Sequence, residues 1–86
     1  MQSGNELRDM RLLAGWSLEQ TCDGSGGVVE ISMLSRAERN LAELRVEQRE
    51  AIERALRSQI ASRSRKLARA LAAWRAPAQT RAAISA

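Results

Sequence analysis

Ala14-Gly15-Trp16-Ser17-Leu18-Glu19-Gln20 holds a helix stop and a helix start two residues apart. Gly15 is suited to the left-handed backbone that closes a helix C-terminus. Ser17 and Gln20 have the spacing of a capping box, in which each side chain satisfies a backbone N–H of the other residue. The stretch therefore predicts two helices meeting across a tight junction. Upstream, Ser3-Gly4-Asn5-Glu6 has the same Ser-x-x-Glu form, so the first helix is expected to begin near residue 4. Leu7, Met10 and Ala14 recur at three- and four-residue spacing and form its inner stripe. Leu12 and Leu13 fall off that stripe; they are either simple exposed apolars or a docking surface for something later in the chain.

Downstream, Leu18, Thr21 and Cys22 face inward on a short second helix that Asp23-Gly24-Ser25-Gly26-Gly27 must end. No Gly-Lys-Ser or Gly-Lys-Thr follows these glycines, so they do not make a phosphate cradle. Val28-Val29 re-enters the core, and Glu30 to Asn40 reads as a third helix of about ten residues. Leu34 and Ala37 share one face of it, while Ser32, Ser35, Arg36 and Arg39 line up hydroxyls and guanidinium groups on the other, with Ile31 at the leading turn. Met33 fits either side. Asn40 is the left-handed cap, since Asn tolerates positive φ better than other non-glycine residues. Val46, Ile52, Ala55, Leu56 and Ile60 keep helical register on a fourth helix, whose surface pairs Glu50 with Arg54 and Glu53 with Arg57. From Ser58 to Trp74 nothing breaks a helix; Ile60, Leu67, Leu71 and Trp74 form one apolar seam and Pro77 ends it.

Composition narrows the function. The 86 residues hold no His and one Cys, so neither a metal site, a Cys/His nucleophile nor an internal disulfide is expected, and with them no enzymatic activity and no cofactor. No apolar run is long enough to span a bilayer, and Met1 to Glu6 lacks the basic, apolar pattern of a signal peptide; a cytoplasmic protein with no membrane partner is expected. Charge divides sharply along the chain. Residues 1–56 carry ten acids against seven Arg, a balance of −3, whereas residues 57–86 carry seven cations and no acid. Such a polycation is attracted to phosphate.

The words Leu7-Arg8-Asp9-Met10-Arg11, Ala14-Gly15-Trp16-Ser17-Leu18 and Leu34-Ser35-Arg36-Ala37-Glu38-Arg39-Asn40, followed by Val46 to Leu56, together resemble the Cro and lambda-repressor type helix-turn-helix, the XRE family. The likeness covers roughly residues 7–56. It departs from the family in a turn from Asp23 to Val28 about two residues longer, in Asn40 where Gly is customary and in Thr21 where a core Leu is usual. Cys22 stands at the place of a small buried Ala, which implies a packed, inert thiol.

The resemblance implies an all-α, four- to five-helix lambda-repressor-like domain over residues 1–57; beyond it the residues themselves read as a basic amphipathic helix over 58–76 and a flexible tail over 77–86. It also implies a sequence-specific transcriptional regulator, a phage or mobile-element repressor acting on double-stranded DNA at the nucleoid. By the geometry of a helix in the major groove and by position in the family, Ile31, Ser32, Ser35 and Arg36 are the candidate base readers. Ser17, Arg39 and Asn40 are placed for phosphates, as are Arg63, Arg65, Lys66 and Arg69 on the basic helix. Arg11 and Glu38 match positions that commonly form a buried ion pair orienting the reading helix. Two jobs remain open for the seam: pairing with a second copy to make a homodimer with reading helices about 34 Å apart, or folding back over Leu12 and Leu13 as a fifth core helix. An alternative function is an antitoxin-like inhibitor or adaptor, with a protein partner in place of DNA.

Overall fold

A computed structural model describes residues 4–85, with side chains through Trp74, as an all-α arrangement of four helices. They are α1 (Gly4–Ala14), α2 (Leu18–Gly24), α3 (Ile31–Glu38) and α4 (Val46–Ser85). Local chemistry accounts for their ends. Gly15 has φ 73°, its N–H donates to the Leu12 carbonyl and the Trp16 N–H reaches back to Arg11, which closes α1 in a Schellman motif. At Ser17 the expected capping box is complete: the Ser17 hydroxyl accepts from the Gln20 N–H at 3.1 Å and the Gln20 side chain accepts from the Ser17 N–H at 2.8 Å. Ser3, the partner expected for Glu6 in the first capping box, lies outside the described residues.

Asn40 does two jobs. Its φ of 61° closes α3 in a second Schellman motif, with the Asn40 N–H on the Ala37 carbonyl and the Leu41 N–H on that of Arg36. Its side-chain Oδ1 accepts from the Gly4 N–H at 2.8 Å, which gives the N-terminus of α1 a cap from a residue 36 positions away. Gly would serve the first role and not the second, a physical reason for Asn here. Gly4 is itself required by the contact, because a Cβ there would fall on the Ala37 carbonyl oxygen.

Leu7 and Ala14 of α1, Cys22 of α2, Val29, Leu34 of α3, and Ile52 and Leu56 of α4 form the core, bordered by Met10, Trp16, Leu18, Met33, Leu44 and Ile60. Thr21 is fully buried among them, and its hydroxyl donates to the Ser17 carbonyl at 2.9 Å, so the polar group in the place of a Leu is satisfied. Gln48 anchors the start of α4: its Nε2 donates to the Val28 carbonyl while its Oε1 accepts from the Arg45 N–H, both at 2.9 Å.

Several expectations are corrected. The fourth helix and the basic helix are one 40-residue element, so no fifth helix folds back, and Leu12 and Leu13 remain 54% and 65% exposed. The charge balance changes at residue 57, but charge does not end a helix, and no Gly or Pro lies between Ser58 and Ala76 to turn it. Pro77 lies inside α4 rather than ending it; a proline costs one backbone hydrogen bond and a clash, about 3 kcal/mol, set against a flanking run of alanines with the highest helix preference. The third helix has eight residues, because Arg39 and Asn40 form its cap. Val46 is exposed at the first turn of α4, and Glu53 meets Arg49 at 3.8 Å, one turn back from the expected Arg57.

Asn40→Gly is expected to lower stability by about 1 kcal/mol through loss of the α1 cap. Asn40→Ala should cost about 1 kcal/mol more, because Ala also resists the left-handed backbone. Urea unfolding of the three chains checks the order; Ala as stable as Gly would contradict it.

Candidate nucleic-acid interface

The third helix is held from one side only. Leu34, Ala37 and Glu38 are buried against α1 and α2, and Met33 is half-buried at the core's edge, so its inward position is the one adopted. On the opposite side Ser32 and Arg36 are exposed; Ile31 is 46% exposed at the first turn, on the stripe that continues to Leu34 and Glu38, and Ser35 is half-buried at its edge. Of the four residues expected to read bases, Ser32 and Arg36 thus face fully outward, while Ile31 and Ser35 border the buried side.

Its orientation comes from Arg11 and Glu38. Arg11 Nε and Nη2 donate to the two carboxylate oxygens of Glu38 at 2.6 and 2.9 Å, and Nη1 donates to the Trp16 carbonyl at 3.0 Å. The side chains are 13% and 6% exposed. The hydrogen bond to Glu38 raises the Arg11 pKa further above its ordinary value, against the opposing effect of desolvation. One guanidinium therefore ties the last turn of α1, the junction before α2 and the last residue of α3.

The residues expected at phosphates separate into two groups. Ser17 is exposed at the N-cap of α2, where its oxygen accepts from Gln20. Arg39 is exposed with its Nε on the Ser35 carbonyl at 3.4 Å, and Arg65, Lys66 and Arg69 are exposed on the part of α4 beyond the core. Asn40 and Arg63 each have a partner within the chain. Asn40 braces α1, as described above, and Arg63 Nη1 donates to the Leu13 carbonyl at 3.0 Å, which places a cation at the negative end of α1. Of the seam residues, Ile60 packs at the core margin while Leu67, Leu71 and Trp74 are 61%, 51% and 72% exposed.

One contact that the sequence does not single out holds α2 in place. Gly24 lies under the indole of Trp16, where a Cβ would strike the ring, and this contact holds the C-terminal end of α2 to the junction. The only signal for it was the Gly-rich composition, which reads as a loop. Cys22 is buried; burial pushes its thiol pKa up, and Asp23, Glu19 and Glu38 act in the same direction. Among the described residues no group of metal-ligating side chains gathers, and no helix is long and apolar enough to cross a membrane. No family model, curated protein or solved structure matches the chain.

Arg11→Met should destabilise the fold by about 3–5 kcal/mol, because Glu38 would be left as a buried charge without its partner. Arg11→Met combined with Glu38→Leu should recover much of that loss, since the uncompensated charge is gone; equal loss in both chains by urea unfolding would contradict this account. Cys22 should react with a thiol reagent at mildly alkaline pH only as fast as the chain opens, and quickly once denatured.

Proposed function

We propose that the protein is a sequence-specific regulator of transcription that lays the outer face of α3 in the major groove of double-stranded DNA. It acts without chemistry or cofactor, as a cytoplasmic, nucleoid-associated repressor that occupies an operator and blocks polymerase. The observation that carries this reading is the division of α3: Ser32 and Arg36 turn away from the core, with Ile31 exposed at the first turn and Ser35 half-buried beside them, while Leu34, Ala37 and the paired Glu38 hold the other side. A helix presented in this way fits the groove, and its leading residues are those that reach base edges.

The roles follow from side-chain chemistry. Arg36 is suited to donate two hydrogen bonds to guanine O6 and N7, Ile31 to meet a thymine methyl, and Ser32 and Ser35 to accept from or donate to either strand. Ser17 and Arg39 flank this face and hold phosphates, which set register without reading sequence. Arg65, Lys66 and Arg69 add charge attraction that does not distinguish one duplex from another. The resemblance of residues 7–56 to XRE-type repressors points the same way, and is the basis for placing the protein with phage or mobile-element regulators.

Selection of bound fragments from random duplexes should enrich one motif. On that motif, Arg36→Ala should lose about 1–3 kcal/mol of discrimination over random DNA. Arg65→Ala should weaken all duplexes alike and reduce the salt slope by about 1. No enrichment, or a loss of preference on changing Arg65 but not Arg36, would reject the reading.

A further inference from the structure

The two ends of α3 are held by different means. Its C-terminal end is fixed twice, by the Arg11–Glu38 pair and by Asn40 on Gly4. Its leading end, where Ile31 and Ser32 lie, follows a turn that bonds back to α2: the Gly26 N–H donates to the Asp23 carbonyl and the Gly27 N–H to that of Cys22. Gly26 and Gly27 have φ of 89° and 70°, and a Cβ on either would meet no atom within 4 Å, so this part of the turn is not packed. Glu30, the N-cap residue, makes no side-chain hydrogen bond to the helix it precedes.

Two contacts tie this end to the body. Val29 is buried in the core, 7% exposed, and the Val28 carbonyl beside it accepts from Gln48 Nε2 at 2.9 Å. The bond crosses a surface groove lined by Gly27, Val28, Val29, Glu30, Met33 and Gln48, so the turn and α4 are joined here by a hydrogen bond rather than by packing. The Gln48 Oε1 accepts from the Arg45 N–H at 2.9 Å in the first turn of α4, which aims the amide nitrogen at the turn. We propose, resting on the reading of α3 as the DNA helix, that Gln48 is the positioning residue for its leading end. It fixes the angle of α3 against α2, and so where Ile31 and Ser32 fall once Ser17 and Arg39 hold phosphates.

A short rigid helix fastened at one end pivots about that end when the other is released, and glycines in the preceding turn allow it. With Val28 released, fewer molecules hold Ile31 and Ser32 where base edges will lie. Apparent affinity for the preferred site falls by that fraction, while the charge attraction of Arg65, Lys66 and Arg69 is untouched. Gln48 makes two bonds that substitution can separate: its acceptor caps α4 and its donor holds the turn. Glu at this position keeps the acceptor and lacks the donor, Lys keeps a donor and lacks the acceptor, and Met lacks both. A carboxylate in the first turn of a helix favours it and an ammonium opposes it. Stability and sequence preference therefore part company between Glu and Lys.

Urea unfolding of the full chain should find Gln48→Glu at least as stable as Gln48→Lys. Preference for the enriched motif over random duplex, a ratio that cancels the added charge, should fall about three- to tenfold in Gln48→Glu and Gln48→Met. Gln48→Lys should keep most of it. In the DNA-free chain, amide nitrogen order parameters should fall at Val28 to Ser32 in the Glu and Met variants, with those of Ala37 to Asn40 unmoved. Preference that follows stability through the three variants would mark a merely structural residue and overturn the proposal. Order parameters at Val28 to Ser32 that keep their wild-type values in Gln48→Glu would overturn it too, whatever the DNA result. A wild-type chain that enriches no motif, with those order parameters lowered in the variant, would reject the DNA reading and retain Gln48 as what fixes the leading end of α3.

Discussion

The bidentate pair between Arg11 and Glu38 is the constraint on which the arrangement of the first three helices depends. A carboxylate buried at the last residue of α3 must find a cation, and the cation must come from a residue that can lie flat against it with its remaining donor satisfied. Arg11 meets both conditions because its third nitrogen donates to the Trp16 carbonyl at the α1–α2 junction. A pair of this kind adds little net stability compared with apolar packing, but it permits one geometry and penalises others. The direction in which α3 points is therefore set by charge, while the stability of the body comes from Leu7, Leu34, Ile52 and Leu56.

A second brace works from the same end of α3. Asn40 ends that helix and caps α1, and Gly4 lets the two backbones approach. With α1 fastened to α3 at Gly4 and again at Arg11, about two turns apart, rotation of α3 about its own axis is resisted at two points. This is what a helix proposed to read DNA requires, because its outer residues must keep their places before a duplex arrives. The opposite end of α1 is closed by Arg63, so all of α1 serves as the bracket between the reading helix and the long fourth helix.

What was legible in the sequence was local. The stop at Gly15, the capping box at Ser17 and Gln20, the positive φ of Asn40 and the inward stripe of α1 involve residues a few positions apart, and the spacing alone specifies them. The Arg11–Glu38 pair spans 27 residues and came only from the resemblance to a known pattern. The Asn40–Gly4 and Arg63–Leu13 contacts span 36 and 50 residues, and no periodicity encodes them; both residues carry polar groups that read equally well as phosphate ligands. A boundary at residue 57 is suggested by a change of charge that coincides with the end of the core stripe, and α4 has no break there. The backbone follows helix preference across that boundary, and preference is high on both sides of it. On α3 the outward turn of Ser32 and Arg36 is legible, because an eight-residue helix with two buried apolar positions has only one way to turn.

The most direct test of the proposed role of α3 is amide chemical-shift mapping of the full chain as an enriched duplex is added. The account predicts the largest changes at Ile31 to Arg36, with a second group at Ser17, and changes beyond Arg63 that are the same for random DNA. Changes confined to α4 beyond Arg57, with the amides of α3 unmoved, would contradict it.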